Sequence, residues 1–263
     1  MLDWYVYPLA ILAGILAGVV NTLAGSGSLI TLPMLVFLGL PSNVANATNR
    51  VGVVLQNIVG ATTFHRSGKL NLANSGWLIL ASVPGAFAGA WAAASLGEAE
   101  MDIIIGTIMV VMLFVILFEP ERWLRQHSEV KNGRPNIWIL LLFVGIGFYG
   151  GFIQASVGVL ILAALVLGLN YSLAHANAVK LIIVLVVTVA AMLVFINENL
   201  IAWGPGLLVA VGQSFGAWLA ARFATRNKNA AVWTRRLLIA VVVIAIFEFF
   251  GILDIILGAV GVA

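Results

Sequence analysis

Leu23-Ala-Gly25-Ser-Gly27-Ser28-Leu-Ile-Thr-Leu-Pro33 breaks an apolar run that extends from residue 8 to residue 38. At ~1.5 Å per residue, that run is too long for one crossing of a ~30 Å hydrocarbon core and too short for two. The small and polar residues at its middle, Ala24-Gly-Ser-Gly-Ser28, supply a tight turn. The segment therefore reads as a re-entrant helical hairpin. Two tight transmembrane hairpins, or one tilted and kinked helix, are the plain alternatives. A second run, 136–168, has the same awkward length and its own central break, Gln154-Ala-Ser-Val-Gly158. It reads the same way.

Working outward, further apolar segments occupy 43–64, 72–95, 101–118, 173–196, 201–221 and 232–250. Over 263 residues the chain is 62% hydrophobic and 9% charged, with a mean hydropathy of +1.12. Soluble domains run nearer ~25% charged, so the polar surface that water requires is missing. The expected class is an all-α polytopic membrane protein, 1–263 forming a single transmembrane domain. The first apolar run begins almost at Met1 with no basic n-region or cleavage site, so it reads as mature structure rather than a signal peptide. Cysteine is absent, which excludes disulfides, thiolate metal sites and cysteine nucleophiles. No metal site and no cofactor are expected. The net charge of +3 comes without a basic patch interleaved with aromatics, so no nucleic-acid partner is expected either.

The two halves resemble each other at an offset of about 130 residues. Gly14–Asn21 matches Gly147–Gln154, and Gly25 then falls on Gly158. Gly39-Leu40 matches Gly168-Leu169, and Val44-Ala45 matches Leu173-Ala174. Gly85, Gly89 and Trp91 match Gly212, Gly216 and Trp218. Charge orients the halves. Eleven of thirteen basic residues lie in three connections: Arg66 and Lys69; Arg122, Arg125, Lys131 and Arg134; Arg222, Arg226, Lys228, Arg235 and Arg236. Connections 96–100 and 197–200 carry only Glu98, Glu100 and Glu198. By the positive-inside rule the first three are cytoplasmic and the last two are not. Equivalent connections thus carry opposite charge, and the halves read as inverted. Inversion requires an odd number of crossings per half, so each half reads as three transmembrane helices plus one re-entrant hairpin. Repeat 1 spans about 5–118, a cytoplasmic linker about 119–135, and repeat 2 about 136–251, with both termini outside.

These residues together resemble the sulfite exporter TauE/SafE family of bacterial membrane proteins. The resemblance rests on Gly14-Ile-Leu-Ala-Gly18, Leu23 to Pro33 as quoted, Leu38-Gly-Leu-Pro41, Ala45-Asn-Ala-Thr48 and Phe64-His-Arg-Ser-Gly-Lys69, and it covers essentially the whole chain. It departs from many relatives in having Gly25-Ser-Gly27-Ser28 in place of a longer glycine run. The second copy has no glycine cluster and no proline matching Pro33. The resemblance implies a multi-pass protein of the bacterial inner membrane that moves small sulfur-containing anions such as sulfite or organosulfonates.

Arg50 and Lys180 are the basic residues outside those three connections. Each lies some seven residues into an apolar segment, roughly 10 Å along a helix. No Asp or Glu occurs in 8–64 or 136–196 to pair with them. Cations buried in a bilayer without acids mark a functional site by default, and a substrate anion is the natural partner. Snorkelling, or bonding to backbone carbonyls, is the alternative. Polar residues that an apolar helix does not need surround them: Asn21, Ser26, Ser28, Asn46, Thr48, Asn49, Gln56 and Asn57 in the first half, Gln154, Ser156, His175 and Asn177 in the second. Each could equally glue helices together. Gly25, Gly27 and Gly158 would allow close backbone approach. The N-termini of the second hairpin arms would present N–H groups and positive dipole ends to an anion. His175 is a candidate for proton coupling, although an interfacial histidine explains it as well. The partners expected are thus a small anion, the lipid bilayer and a coupling proton or ion, and a homodimer stays open. Two rival classes remain. Ser26 with a distant His175 would suit an intramembrane serine hydrolase, but Ala24 stands where such an elbow has glycine. A non-transporting scaffold would have no reason to bury two cations.

Overall fold

A computed structural model describes residues 6–68, 70, 72, 75–118 and 135–226. Residues 119–134 of the linker expected at about 119–135, and the apolar segment 232–250, lie outside the described residues. The described residues are mostly helical, with no strand among them. In chain order the helices are α1 (Val6–Ala24), α2 (Ser28–Phe37), α3 (Ser42–Arg66), α4 (Gly76–Ala94), α5 (Glu98–Phe118), α6 (Ile137–Phe152), α7 (Val157–Ala163), α8 (Leu173–Asn197) and α9 (Trp203–Arg226). The last turns after α7, Ala164–Gly168, are π-helical. The segments Gly76–Ala94, His175–Asn197 and Trp203–Arg226 are long and apolar enough to cross a membrane. Large apolar side chains such as Leu80, Trp91, Leu193 and Val211 stand exposed on their outer faces, as lipid-facing surface does.

Both long apolar runs are broken where the sequence breaks them. Between α1 and α2, Gly25 adopts a φ of 86°, which glycine alone takes without penalty. Between α6 and α7 the same job falls to Gln154 and Ser156, at φ 61° and 57°. For residues with a Cβ this is a strained conformation, worth of order 1–3 kcal/mol each, of the kind that clusters at functional sites. Arms α1 and α2 fold back on each other, since a methyl on Gly27 would lie 2.2 Å from Ala17 O. α2, at ten residues, is about 15 Å long.

Glycine faces decide which helices pair, and they pair across the halves. α1 lies on α9: methyls at Gly14 and Gly18 would meet Val209 O at 2.5 Å and Gln213 O at 2.2 Å. α6 lies on α4 in the same manner: methyls at Gly147 and Gly151 would meet Ser82 O at 2.0 Å and Ala86 O at 2.1 Å. Such small-residue faces let backbones approach closely where lipid offers no hydrophobic drive. α3 and α8 cross at the centre and run antiparallel. Arg50 sits against the Phe195 ring, whereas Gly60, ten residues on, faces Leu181.

The acidic connection 96–100 is shorter than expected, because Glu98 and Glu100 belong to the first turn of α5. Negative side chains are favoured there by the free N–H groups and the helix dipole. At that end Ser42 donates a hydrogen bond to the Asp102 carboxylate, tying α3 to α5.

Candidate functional site: two broken helices meeting in the interior

The two breaks touch. A methyl on Gly25 would lie 2.4 Å from Gly158 Cα, and a methyl on Gly158 would lie 2.4 Å from Gly25 Cα. Around this contact are ends of α1, α2, α6 and α7, and each end leaves backbone groups that need partners.

The carbonyl ends are served by side chains from the central helices. α6 ends beneath α3, whose Arg50 donates from one terminal nitrogen to Gly150 O and to Gln154 Oε1 (2.7 Å). From the other it donates to Gly151 O (2.9 Å) and Asn46 Oδ1 (3.4 Å). Asn46 Nδ2 donates to Phe152 O at 2.9 Å. Three successive terminal carbonyls of α6 are thus capped by one turn of α3. α1 ends beneath α8, whose Lys180 Nζ donates to Asn21 O (3.0 Å), Thr22 O (2.9 Å) and Asn177 Oδ1 (3.0 Å). Each cation therefore caps the first hairpin arm of the opposite half. Of the two expectations the sequence left open, carbonyl bonding is what this structure displays. All three Lys180 protons are engaged, and Arg50 keeps only Nε without a partner. Both groups are fully buried, and the partners described are neutral, so their positive charge is not cancelled by an acid.

The opposite arms begin at the same place. α2 starts at Ser28 with no side chain capping its first turn, and α7 likewise starts uncapped after Ser156. Beside these starts Ser26 and Ser156 are each fully buried, and neither hydroxyl has a hydrogen-bond partner. A buried unpaired hydroxyl costs roughly 1–3 kcal/mol, so two of them at one junction call for a ligand or water. Ser28 and Asn49 join this wall: Asn49 Nδ2 donates to Ser28 Oγ at 3.0 Å and Thr31 donates to Asn49 Oδ1 at 2.6 Å. The junction thus gathers Asn21, Gly25, Ser26, Gly27, Ser28, Asn46, Asn49, Arg50, Gln154, Ser156, Asn177 and Lys180.

Two residues point elsewhere. Thr48 Oγ1 accepts from Ala202 N at 2.9 Å and so caps the start of α9. His175 lies in the first turn of α8 with its ring 4.6 Å from that of Tyr171. Several participants escaped the sequence reading. Thr188 accepts from Gln154 Nε2, and Tyr149 donates to Ala155 O at 2.6 Å. Apart from the junction, Gln213, buried on α9 against Gly18 and Gly52, leaves its Oε1 unpaired. A lone glutamine among Gly212, Ser214 and Gly216 is the signal that could have found the last of these.

A family profile described as "Sulfite exporter TauE/SafE" matches residues 10–249. The chain belongs to the sulfite exporter TauE/SafE family. It is similar to a probable membrane transporter protein of a Sinorhizobium species, 26% identical over 235 residues, or 89% of this chain and 88% of that one. The probable membrane transporter protein YfcA of Escherichia coli K12 is 25% identical over 207 residues, 79% of this chain and 76% of that one. A probable membrane transporter protein of Haemophilus influenzae is 26% identical over 217 residues, covering 82% and 84% of the two chains. No solved structure matches. As a TauE/SafE member the chain is a membrane transporter.

Proposed function

We propose that this TauE/SafE protein transports small sulfur-containing anions, sulfite or short organosulfonates, across the bacterial inner membrane, and that the anion sits where the two breaks meet. The observation that carries the reading is the pair of unpartnered, fully buried hydroxyls of Ser26 and Ser156 at that contact. Uncapped helix starts add oriented N–H groups, the arrangement by which secondary transporters hold anionic groups mid-membrane. Arg50 and Lys180 act behind it. Their charges are held by carbonyls, so they raise the local potential without closing the site, and Arg50 Nε is a buried cationic donor left for the anion.

In this reading repeats 1 and 2, about 5–118 and 136–251, are inverted relative to each other, and the two hairpins are re-entrant. The antiparallel course of α3 and α8 and the crosswise glycine pairings support this arrangement. Transport then proceeds by alternating access as one half rocks against the other around the shared junction. Among the described residues no side chain bonds Ser26 Oγ, the contact that a hydrolytic reading would call for.

The test is a binding screen of sulfite, sulfate, thiosulfate and short sulfonates on purified protein, paired with Ser26→Ala and Ser156→Gly. Neither variant loses a hydrogen bond in the unliganded protein, and Ser156→Gly also relieves a left-handed serine. The unliganded thermal midpoint is therefore expected to hold for Ser26→Ala and to rise for Ser156→Gly. Anion affinity is expected to fall about tenfold in each, the loss of roughly 1.4 kcal/mol. Unchanged affinity in both variants would remove the site.

A further inference from the structure

The crosswise pairings create two corresponding grooves, one bounded by α1, α3 and α9, the other by α6, α8 and α4. Their backbone contacts match position for position: Gly18 on Gln213 O in the first, Gly151 on Ala86 O in the second. Their side chains do not match. In the first groove Thr22, one turn beyond Gly18, is buried with Oγ1 unpaired, and Gln56 and Gln213 are buried with Oε1 unpaired. In the second groove Ala155 stands where the first has Thr22, and Ala86 where it has Gln213. Gln56 corresponds to Val186 or Val187, according to whether an offset of 130 or 131 is taken. The fold packs that interface with apolar residues at these three positions, so it does not require polar ones at their counterparts.

The three side chains follow one strip of α3. Gln213 Oε1 would be 2.4 Å from a methyl on Gly52, and Thr22 Oγ1 3.9 Å from one on Gly60, with Gln56 on the turn between. Eight residues of helix is about 12 Å. Unpaired polar atoms spread over that distance form a path rather than a single pocket. None is charged, so an ion or water would be bound too weakly to be trapped, as conduction requires. The path runs toward the end of α3 that carries Arg66. α9 lies parallel to α3, with Ala202 bonded to Thr48 and Gln213 packed on Gly52, so its Arg222 and Arg226 reach the same end. All three are exposed, and a basic rim gathers anions.

We propose that Thr22, Gln56 and Gln213 line a hydratable half-channel that connects the hairpin junction to the basic face of the protein, while its counterpart between α4, α6 and α8 stays dry. This rests on the anion-transport reading and assigns that reading its route on one side. The test uses the natural absence of cysteine. Gln56→Cys, Gln213→Cys, Ala86→Cys and Val187→Cys are exposed in open membrane fragments to a small anionic methanethiosulfonate, and modification is read by mass. The glutamine-derived cysteines are expected to react at least tenfold faster than the other two, and methanesulfonate, which unlike sulfite does not attack the thiosulfonate, to slow them. Equal rates in the two grooves, or no reaction of Gln56→Cys and Gln213→Cys while Ser67→Cys reacts, would overturn the half-channel. Fast reaction that methanesulfonate leaves unslowed supports the channel and counts against a short sulfonate as the substrate. As a second measurement, Gln56→Val with Gln213→Ala copies the dry groove. It should fold, bind sulfite as before and carry at least tenfold less flux; undiminished flux would overturn the proposal.

Discussion

Arg50 and Lys180 illustrate how a buried charge can be fixed by backbone alone. A helix that stops inside a bilayer exposes carbonyls with no water to take them, at several kcal/mol each. A cation from a neighbouring helix satisfies two of them at once and also complements the negative dipole end. The demand differs at the two ends. Arg50 serves Gly150 O, Gly151 O, Gln154 and Asn46, four acceptors in a fan that the planar guanidinium fits. Lys180 serves three with three protons. Arg50→Lys therefore leaves one acceptor unmet and misaligns the rest, whereas Lys180→Gln strands Asn21 O or Thr22 O. Both variants should lose about 1–3 kcal/mol or more, seen as a lower thermal midpoint in detergent without any anion present. Midpoints equal to the parent, with anion binding lost, would make the cations direct ligands in place of caps.

The hairpin elements depend on a contact between two glycines. Gly158→Ala adds a methyl 2.4 Å from Gly25 Cα, and Gly25→Ala adds both that clash and a left-handed alanine. Gly39 is the natural control, with φ 84° but open space around it. Flux should vanish in Gly25→Ala and Gly158→Ala, while Gly39→Ala loses only about 1–2 kcal/mol of stability and keeps transport. Full transport by Gly158→Ala in vesicles would mean that the tips do not have to touch. The positions of both breaks could be read in the sequence, because Gly25 to Ser28 and Gln154 to Gly158 interrupt long apolar runs. What Arg50 and Lys180 bond to could not be read. Their partners are main-chain oxygens about 100 and 158 residues away, and a carbonyl leaves no mark in residue type. The left-handed Gln154 and Ser156 were equally hidden, since neither residue type announces that conformation.

At the scale of the whole molecule the charge asymmetry makes the topology testable. Cysteines at Gly97 and Asn199, both in exposed connections, should react with an impermeant thiol reagent added to intact cells, and one at Ser67 should not. A partner position at Asn229 lies outside the described residues. Reaction of Gly97 and Ser67 from the same side would refute the inverted arrangement. The glycine spacing Gly85/Gly89 and Gly212/Gly216 is part of what suggests a repeat. It could not disclose that each copy packs on the other half, because spacing identifies a close-packing face and not its partner. That exchange bears on how the protein is made. Gly18 waits for Gln213, 195 residues later in the sequence, which is roughly 10–40 seconds of synthesis at ~5–20 residues per second. Throughout that interval the first hairpin has neither its packing partner nor the lysine that closes its open end. It cannot be released to lipid as it emerges, so the insertion machinery must shelter an unfinished hairpin until the last third of the chain arrives.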